Sequence, residues 1–393
     1  SMTWEILWAL ILGFFLSAAV QAVVSKESIS RLLPDDSPKT LGVASLLGAA
    51  SSSCSYAAVA LARSLFRKGA HLTAAMAFEI ASTNLVIELG VILALLMGWQ
   101  FTAAEFFGGP VMIVLIALLF RRFVHGEVVR AAREQAERGL AGSMEGHAAM
   151  DMAVPAEGTL WRRLTSRRGY TAVSHIFVME WAAVLRDIVG GLLIAGAVAA
   201  WVPDSFWRHF FLTGHPLGSA LWGPLVGPAI AMLSFVCSIG NVPLAAVLWN
   251  GGISFGGVTS FIFADLIIIP ILLIYRRYYG TAMALRIFAL FYLAMAGAGY
   301  VVELVFKPLG LVPATRAAKV MDAGISWNYT TWLNIVFLLL AAALVIRFLR
   351  SGGRPMLSMM GGGPDDMSGH GEHDHHEHSG HGDHGGHASH EHM

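Results

Sequence analysis

Two cysteines are the residues of this chain best suited to bind a soft, thiophilic ligand. Cys54 and Cys237 are the only cysteines among 393 residues, so the chain has no disulfide framework. Each is followed by a serine and lies in a long apolar stretch. Thiolates suit copper(I), zinc and other thiophilic centres such as trivalent arsenic or mercury, which makes a paired-cysteine site the first hypothesis. The alternative is that each cysteine is a small buried residue in helix packing.

The two cysteines occupy the same position in an internal repeat. Residues Ser51–Ala81 align with Ser234–Ala264 at an offset of 183, and ten of the 31 paired positions are identical. The repeat begins further upstream, because the stretch from Trp4 aligns with the stretch from Trp181 at an offset of 177. The chain is therefore predicted to hold two like units, each contributing one cysteine to a pseudo-symmetric site.

Further polar side chains within the apolar stretches complete the candidate site. An ionisable group inside a membrane span is costly and usually faces a cavity or a partner. We expect Glu79 and Asp265 to face the site from opposite sides, as ligands or proton carriers. The predicted substrate-binding set is Cys54, Ser55, Cys237, Ser238, Asn241, Glu79, Asn84 and Asp265, and the proton-coupling candidates are Glu79, Asp265 and Glu88. Backbone satisfaction at broken helices is the alternative role of the serines, and an ion pair or interfacial position that of Glu88.

The C-terminal tail carries a second set of metal-ligand side chains. Imidazole and carboxylate groups suit zinc, nickel, cobalt or copper(II), and the tail is too polar to fold alone. We expect it to sequester or deliver metal; the alternative is a solubilising tail. Its ten histidines, interspersed with Asp, Glu, Ser and Gly, are His370, His373, His375, His376, His378, His381, His384, His387, His390 and His392.

Composition indicates a membrane protein built from helices. The chain is 56% hydrophobic and only 13% charged, and several runs of about 20 apolar residues can each span a bilayer. The first apolar run lacks a preceding basic segment, so no cleavable signal peptide is predicted. No P-loop and no nucleophile–base motif is present, which argues against direct ATP coupling and against an enzyme.

Five segments are predicted along the chain. They are membrane repeat 1 (1–124), a basic cytoplasmic linker (125–172), membrane repeat 2 (173–306), a loop with an extra C-terminal transmembrane helix (307–350), and the His-rich tail, predicted to be disordered (351–393). Breaks in the apolar runs are predicted at Ser51–Ser53, Gly108–Pro110 and Asn241–Pro243.

Charge bias decides between two topologies. If each cysteine segment crossed the membrane fully, giving nine full spans, Arg276–Arg277 and Arg347–Arg354 would lie outside, against the positive-inside rule. If each segment is a re-entrant helical hairpin, these groups and Arg67–Lys68 lie inside with the linker. The sequence therefore favours an all-α polytopic membrane protein with two inverted repeats, about seven full spans and two re-entrant hairpins. Inverted repeats place broken helices and their binding site near the membrane midplane.

The repeated cysteine motif resembles that of the ArsP-like predicted permease family, over about residues 4–306. The family motif reads C-S-C-G-x-x-P-L-A, whereas Tyr56 and Ile239 stand here in place of its second cysteine. Pro243 retains the proline in the second copy, and Ala60 replaces it in the first. The family includes organoarsenical exporters and a branch described as copper/zinc efflux proteins, so the resemblance implies export of a thiophilic or metal-containing solute.

The sequence therefore predicts a secondary-active permease, proton-coupled, that exports a heavy metal ion or organometal(loid) across a bacterial inner (plasma) membrane, with a cytoplasmic C-terminal tail. Two alternatives stay open: a permease for a small organic or sulfur-containing solute, and a membrane metal sensor or assembly factor acting through the tail. No cofactor is required, and a divalent metal (zinc, copper, cobalt or nickel) is expected to bind the C-terminal tail. The expected partners are the metal or metalloid substrate and the lipid bilayer, without nucleic acid, and a homo-oligomer is left open.

Overall fold

The computed structural model describes residues 2–23, 31–53, 55–137, 160–201, 203–234, 238–316, 318 and 329–353. Every regular element within these ranges is helical. Helices suit a bilayer because they satisfy their own backbone hydrogen bonds where no water is available. Cys54, Cys237, the tail histidines and much of the linker lie outside the described residues.

Within the described residues, the first repeat contains six helices and the linker two. The helices are α1 (Met2–Val23), α2 (Pro38–Ser51), α3 (Ser55–Arg67), α4 (Leu72–Asn84), α5 (Ile87–Leu96) and α6 (Trp99–Phe123), followed by α7 (Gly126–Glu137) and α8 (Leu160–Thr165). Ser37 caps α2 by accepting a hydrogen bond from the Thr40 amide at 3.3 Å, and Pro38 occupies the first turn, where its missing N–H costs nothing.

Among the described residues, the second repeat has counterparts of the helices of the first, with one short helix added after its opening helix, and one further helix follows it. These helices are α9 (Arg167–Trp201), α10 (Asp204–Phe210), α11 (Pro216–Ser234), α12 (Ser238–Gly251), α13 (Phe255–Phe263) with a 3₁₀ turn (Ala264–Ile267), α14 (Ile269–Tyr279), α15 (Thr281–Phe306) and α16 (Tyr329–Arg350).

Among the described residues, five helical stretches are long and apolar enough to cross a membrane. They are Leu72–Leu96, Trp99–Phe123, Pro216–Ser234, Thr281–Phe306 and Thr331–Arg350; a pair bent by 44°, Phe255–Ile267 and Ile269–Tyr279, makes up to six. The chain is a multi-pass membrane protein. By contrast, α2 and α3 have 14 and 13 residues, so each reaches only about 20 Å of a hydrocarbon core of about 30 Å.

The two repeats interrupt their helices at equivalent positions. One helix ends at Ser51 and the next begins at Ser55; 183 residues later, helices end at Ser234 and begin at Ser238. Leu85 and Ile268, also 183 residues apart, separate the two parts of the following broken helix in each repeat. The loop glycines Gly69 and Gly252 both have positive φ, 105° and 110°, which a side chain would disfavour. The duplication seen in sequence is thus a duplication of backbone geometry.

One predicted break is confirmed and two are wrong. Ser52 and Ser53 do separate α2 from α3. Gly108–Pro110 lies inside the continuous helix α6, because the glycines provide close packing: a Cβ on Gly108 would be 2.7 Å from the Phe263 ring. Asn241–Pro243 lies inside α12, which runs from Ser238 to Gly251 with the proline in its interior.

The counterpart helices α6 and α15 pack against each other in antiparallel directions. Phe107 contacts Phe306, with ring centroids 5.7 Å apart, whereas Phe120 contacts Phe291 at 6.2 Å. Residue numbers therefore rise along one helix as they fall along the other.

The linker helix α7 joins the two repeats at one end of the molecule. The buried Arg63 of α3 donates to the Ala136 carbonyl at 2.8 Å and lies 4.3 Å from the Tyr278 ring centroid. Gln135 donates to the Arg277 carbonyl at 3.2 Å. The linker is therefore packed on both α3 and α14.

The last helix, α16, packs on the opening helices of both repeats. The Trp4 indole donates to the Thr331 hydroxyl at 3.1 Å, and the Ser174 hydroxyl donates to the Leu344 carbonyl at 2.7 Å. A helix without a counterpart in the first repeat thus ties α1 to α9.

Candidate substrate and proton site

Both cysteine-bearing breaks converge on the C-terminal end of α4. The Ser53 amide donates to the Ser82 carbonyl at 2.8 Å, and the Ser238 hydroxyl donates to the Thr83 carbonyl at 3.4 Å. Ser53 precedes Cys54, and Ser238 follows Cys237. The chain on either side of the two cysteines therefore meets at one place, although the cysteines themselves lie outside the described residues.

Asp265 is at the centre of this meeting point. The Ser55 hydroxyl donates to its Oδ2 at 2.6 Å. The side chains of Asn84 and Ser238 approach the same carboxyl group, while its Oδ1 has no hydrogen-bond partner among the described residues. The 3₁₀ turn after α13 presents Asp265 here, so residues of both repeats surround it.

Glu79, on α4, lies near Asp265 and is also fully buried. The Tyr275 hydroxyl of α14 donates to Glu79 Oε1, and Oε2 has no partner within the described part of the chain. Tyr279 follows one turn later on the same face of α14, with the two rings 6.2 Å apart. Sequence reasoning missed Tyr275 because a tyrosine near a basic helix end is a common interfacial residue.

Glu105 on α6 is a third buried carboxyl group that the sequence analysis did not select. It is 1% exposed, interacts electrostatically with Asp265, and neither of its oxygens has a partner among the residues described. The signal was available, since Glu105 is the only charged residue in the apolar stretch from Trp99 to Phe120. Glu79, Glu105 and Asp265 therefore form a carboxyl cluster supplied by three different elements.

Asn241 and Glu88 lie at the edges of this site. Asn241 is buried and its Oδ1 accepts a hydrogen bond from Ser234 at 3.0 Å, so it links the two sides of the second break. Glu88 accepts a hydrogen bond from Ser52 at the first break and packs against Gly13 of α1. Neither contacts Asp265 in the described hydrogen bonds.

The described side chains of the candidate site are buried. Ser55, Glu79, Asn84 and Asp265 each have 0% exposure, and Ser238 has 4%. Within the described ranges, no three His, Cys, Asp or Glu side chains are arranged to hold a metal ion. A metal ion at this site would therefore need the cysteines as ligands, and any ligand would need a conformational change to enter.

Comparison with known proteins identifies relatives of the chain. A family model described as "Predicted permease", ArsP_1, matches residues 1–304. A protein of Mycobacterium tuberculosis named "Putative permease Rv2963" is 68% identical over 348 residues, which is 88% of this chain and 86% of that protein. No solved structure matches the chain.

Proposed function

Since the chain belongs to the ArsP_1 predicted permease family, we propose that it is a secondary-active permease that exports a heavy metal ion or organometal(loid) from the cytoplasm. One observation carries the proposal: residues adjoining both cysteines converge on the buried Asp265. A permease of this kind belongs in a bacterial inner membrane.

The cargo is bound by one cysteine from each repeat. Thiolates are soft ligands, and two of them satisfy a thiophilic cation or a trivalent organometalloid. Cys54 and Cys237 directly precede the first residues of α3 and α12, Ser55 and Ser238. The positive ends of helix dipoles favour negatively charged ligand groups near helix starts.

Proton coupling uses the buried carboxyl cluster. A buried carboxylate is costly unless it is paired or neutralised, so its charge can be exchanged for that of a cargo. Asp265 and Glu79 are the carriers nearest the breaks, and Glu105 adds a third acceptor. Tyr275 and Tyr279, on successive turns of α14, extend the row of polar side chains toward the C-terminal end of that helix, which also carries Arg276 and Arg277.

The topology is an inverted repeat with two re-entrant hairpins. The antiparallel packing of α6 and α15 supports inversion, because counterpart helices of inverted repeats run in opposite directions. The basic linker and tail are then cytoplasmic, where the tail histidines can sequester or deliver metal.

The topology is tested by cysteine labelling at two exposed, equivalent helix ends. Lys68→Cys and Asn250→Cys, each in a Cys54→Ser/Cys237→Ser background, should react with an impermeant maleimide from opposite sides. Labelling of both from the same side contradicts the inverted repeat.

The function is tested by transport in vesicles of purified protein, with a pH dye inside. We expect wild-type protein to move one member of a panel of zinc, copper(I), cobalt, nickel and a trivalent methylarsenical. Cargo flux should disappear in the Cys54→Ser/Cys237→Ser variant, and proton movement should disappear in Glu79→Gln. The matched control is Glu303→Gln, because Glu303 accepts a hydrogen bond from the Gly256 amide at 2.6 Å and no hydrogen bond among the described residues joins it to the candidate site.

Three outcomes contradict the proposal. Equal flux by wild-type and cysteine-free protein reduces the cysteines to packing residues. No flux of any panel member points to a small organic or sulfur-containing solute. If flux is normal in the full-length protein but stops when residues 370–393 are deleted, the protein acts through its tail.

A further inference from the structure

An apolar groove runs along the membrane-facing side of α2 and α6. It has a volume of about 700 Å³ and is lined by Pro38, Gly42, Leu46, Phe106, Val114 and Leu118, among others. Leu46 is 74% exposed and Val114 56%, so the rim faces the lipid. A groove of this size lies within the range of small-molecule sites, about 300–1,000 Å³.

A cationic cavity adjoins one end of this groove. It has a volume of about 510 Å³ and its charged lining is Arg121, Arg130, Arg133 and Asp36, with His71 beside them. Three guanidinium groups therefore face a single carboxylate. The first residues of α4, Leu72 and Thr73, also line it, and His71 makes no side-chain cap for this helix start, which favours an anion.

Arg121 lines both cavities and thereby joins the apolar groove to the cationic one. Its Nε donates to Asp36 Oδ2 at 2.6 Å, which fixes the guanidinium at the junction. Arg133 is held on the other side, 4.2 Å from the Phe66 ring centroid, and Arg130 is exposed. The combined space is apolar along the span and positively charged where the spanning helix ends.

We propose that these joined cavities bind an anionic phospholipid, with one acyl chain in the groove and the phosphate among Arg121, Arg130 and Arg133. Charge complementarity selects the headgroup, since basic pockets between membrane helices bind anionic lipid headgroups. The lipid would bridge α2, α4, α6 and α7, and so would brace the linker helix against the first repeat.

The proposal is tested by native mass spectrometry of the full-length protein, titrated with phosphatidylglycerol or with phosphatidylcholine of the same acyl chains. We expect tighter binding of phosphatidylglycerol. Arg130→Gln should weaken it about fivefold, the effect of one basic residue near an anionic headgroup. The control is Arg122→Gln, which removes an exposed arginine of α6 that lines neither cavity.

The groove is tested separately at Gly42, where an added Cβ meets nothing within 4 Å. Gly42→Leu places a large apolar side chain at the groove and should lower phospholipid binding, whereas Gly42→Ala should leave it unchanged. Inorganic phosphate serves as the headgroup-only probe. The proposal is overturned if both lipids bind equally, or if Arg130→Gln binds phosphatidylglycerol as tightly as Arg122→Gln does. It is also overturned if Gly42→Leu binds lipid like wild type, a result that leaves at most a site for free phosphate.

Discussion

Gly299 lies at a close contact between α11, α13 and α15, and replacing it by alanine should destabilise the fold. An added Cβ would be 2.6 Å from the Gly256 carbonyl oxygen, 2.9 Å from the Ser260 Cβ and 3.2 Å from the Pro224 Cβ. The first neighbour is backbone and cannot rotate away, so α15 must move away from α13. Because α13 leads into the turn that carries Asp265, this movement would also disturb the candidate site.

The magnitude follows from two opposing terms. Overpacking a close contact costs about 1–3 kcal/mol, while Gly→Ala in a helix interior gains about 1 kcal/mol. Gly299→Ala should therefore lower the free energy of unfolding by up to about 2 kcal/mol. Gly42→Ala carries only the favourable term, because its Cβ meets nothing within 4 Å. The two variants should differ by about 1–3 kcal/mol.

The assay is unfolding of both variants in the same detergent, followed by circular dichroism, with cargo flux in vesicles as a second readout. Gly299→Ala should have the lower midpoint and the lower flux. Equal midpoints for the two variants would refute the inferred close packing of α11, α13 and α15.

Three further predictions concern charged groups. Asp265→Asn keeps an oxygen that accepts the Ser55 hydrogen bond, so the variant should fold normally and exchange cargo. It should lose the cargo accumulation driven by a pH gradient, which for one pH unit is at most about tenfold per proton. Accumulation retained by the variant would contradict the prediction. The Arg121 guanidinium, hydrogen-bonded to Asp36, lowers the pKa of that carboxyl below 3.8, so the pair stabilises the fold above this pH and the contribution fades as the pH falls through the lowered value. The difference in unfolding midpoint between wild type and Asp36→Asn should accordingly shrink as the pH falls. A difference that grows in acid would contradict the prediction. Arg63→Met removes the bond to the Ala136 carbonyl and should expose α7 to protease, whereas Arg67→Met, at an exposed position one turn on, should not.

The sequence was sufficient for features that repeat or that violate local rules. The repeat at an offset of 183 residues predicted two like units, and helices do end at the equivalent positions Ser51 and Ser234, although the second break was predicted at Asn241–Pro243. Glu79 and Asp265 stood out because charged side chains are expensive in a membrane span, and the structure places them near each other.

Features that depend on which way a helix faces were not predictable. Gly108–Pro110 has the composition of a break, yet tertiary packing against Phe263 keeps α6 continuous. Glu105 and Tyr275 become site residues only because α6 and α14 turn those side chains toward Asp265 and Glu79. One sequence without its fold does not specify that rotation.

The two repeats share a backbone plan but not their chemistry. Glu79 corresponds to Ile262 in the second repeat, whereas Asp265 and Tyr275 correspond to Ser82 and Ile92 in the first. Neither half could therefore assemble the cluster with a copy of itself, and the duplicated gene segments have become mutually dependent. A scaffold of identical halves would favour inward-open and outward-open forms equally. In the inverted-repeat permease proposed above, the unequal placement of carboxyl groups would remove that degeneracy, so the resting preference for one form would be encoded in the protein rather than set by the membrane alone.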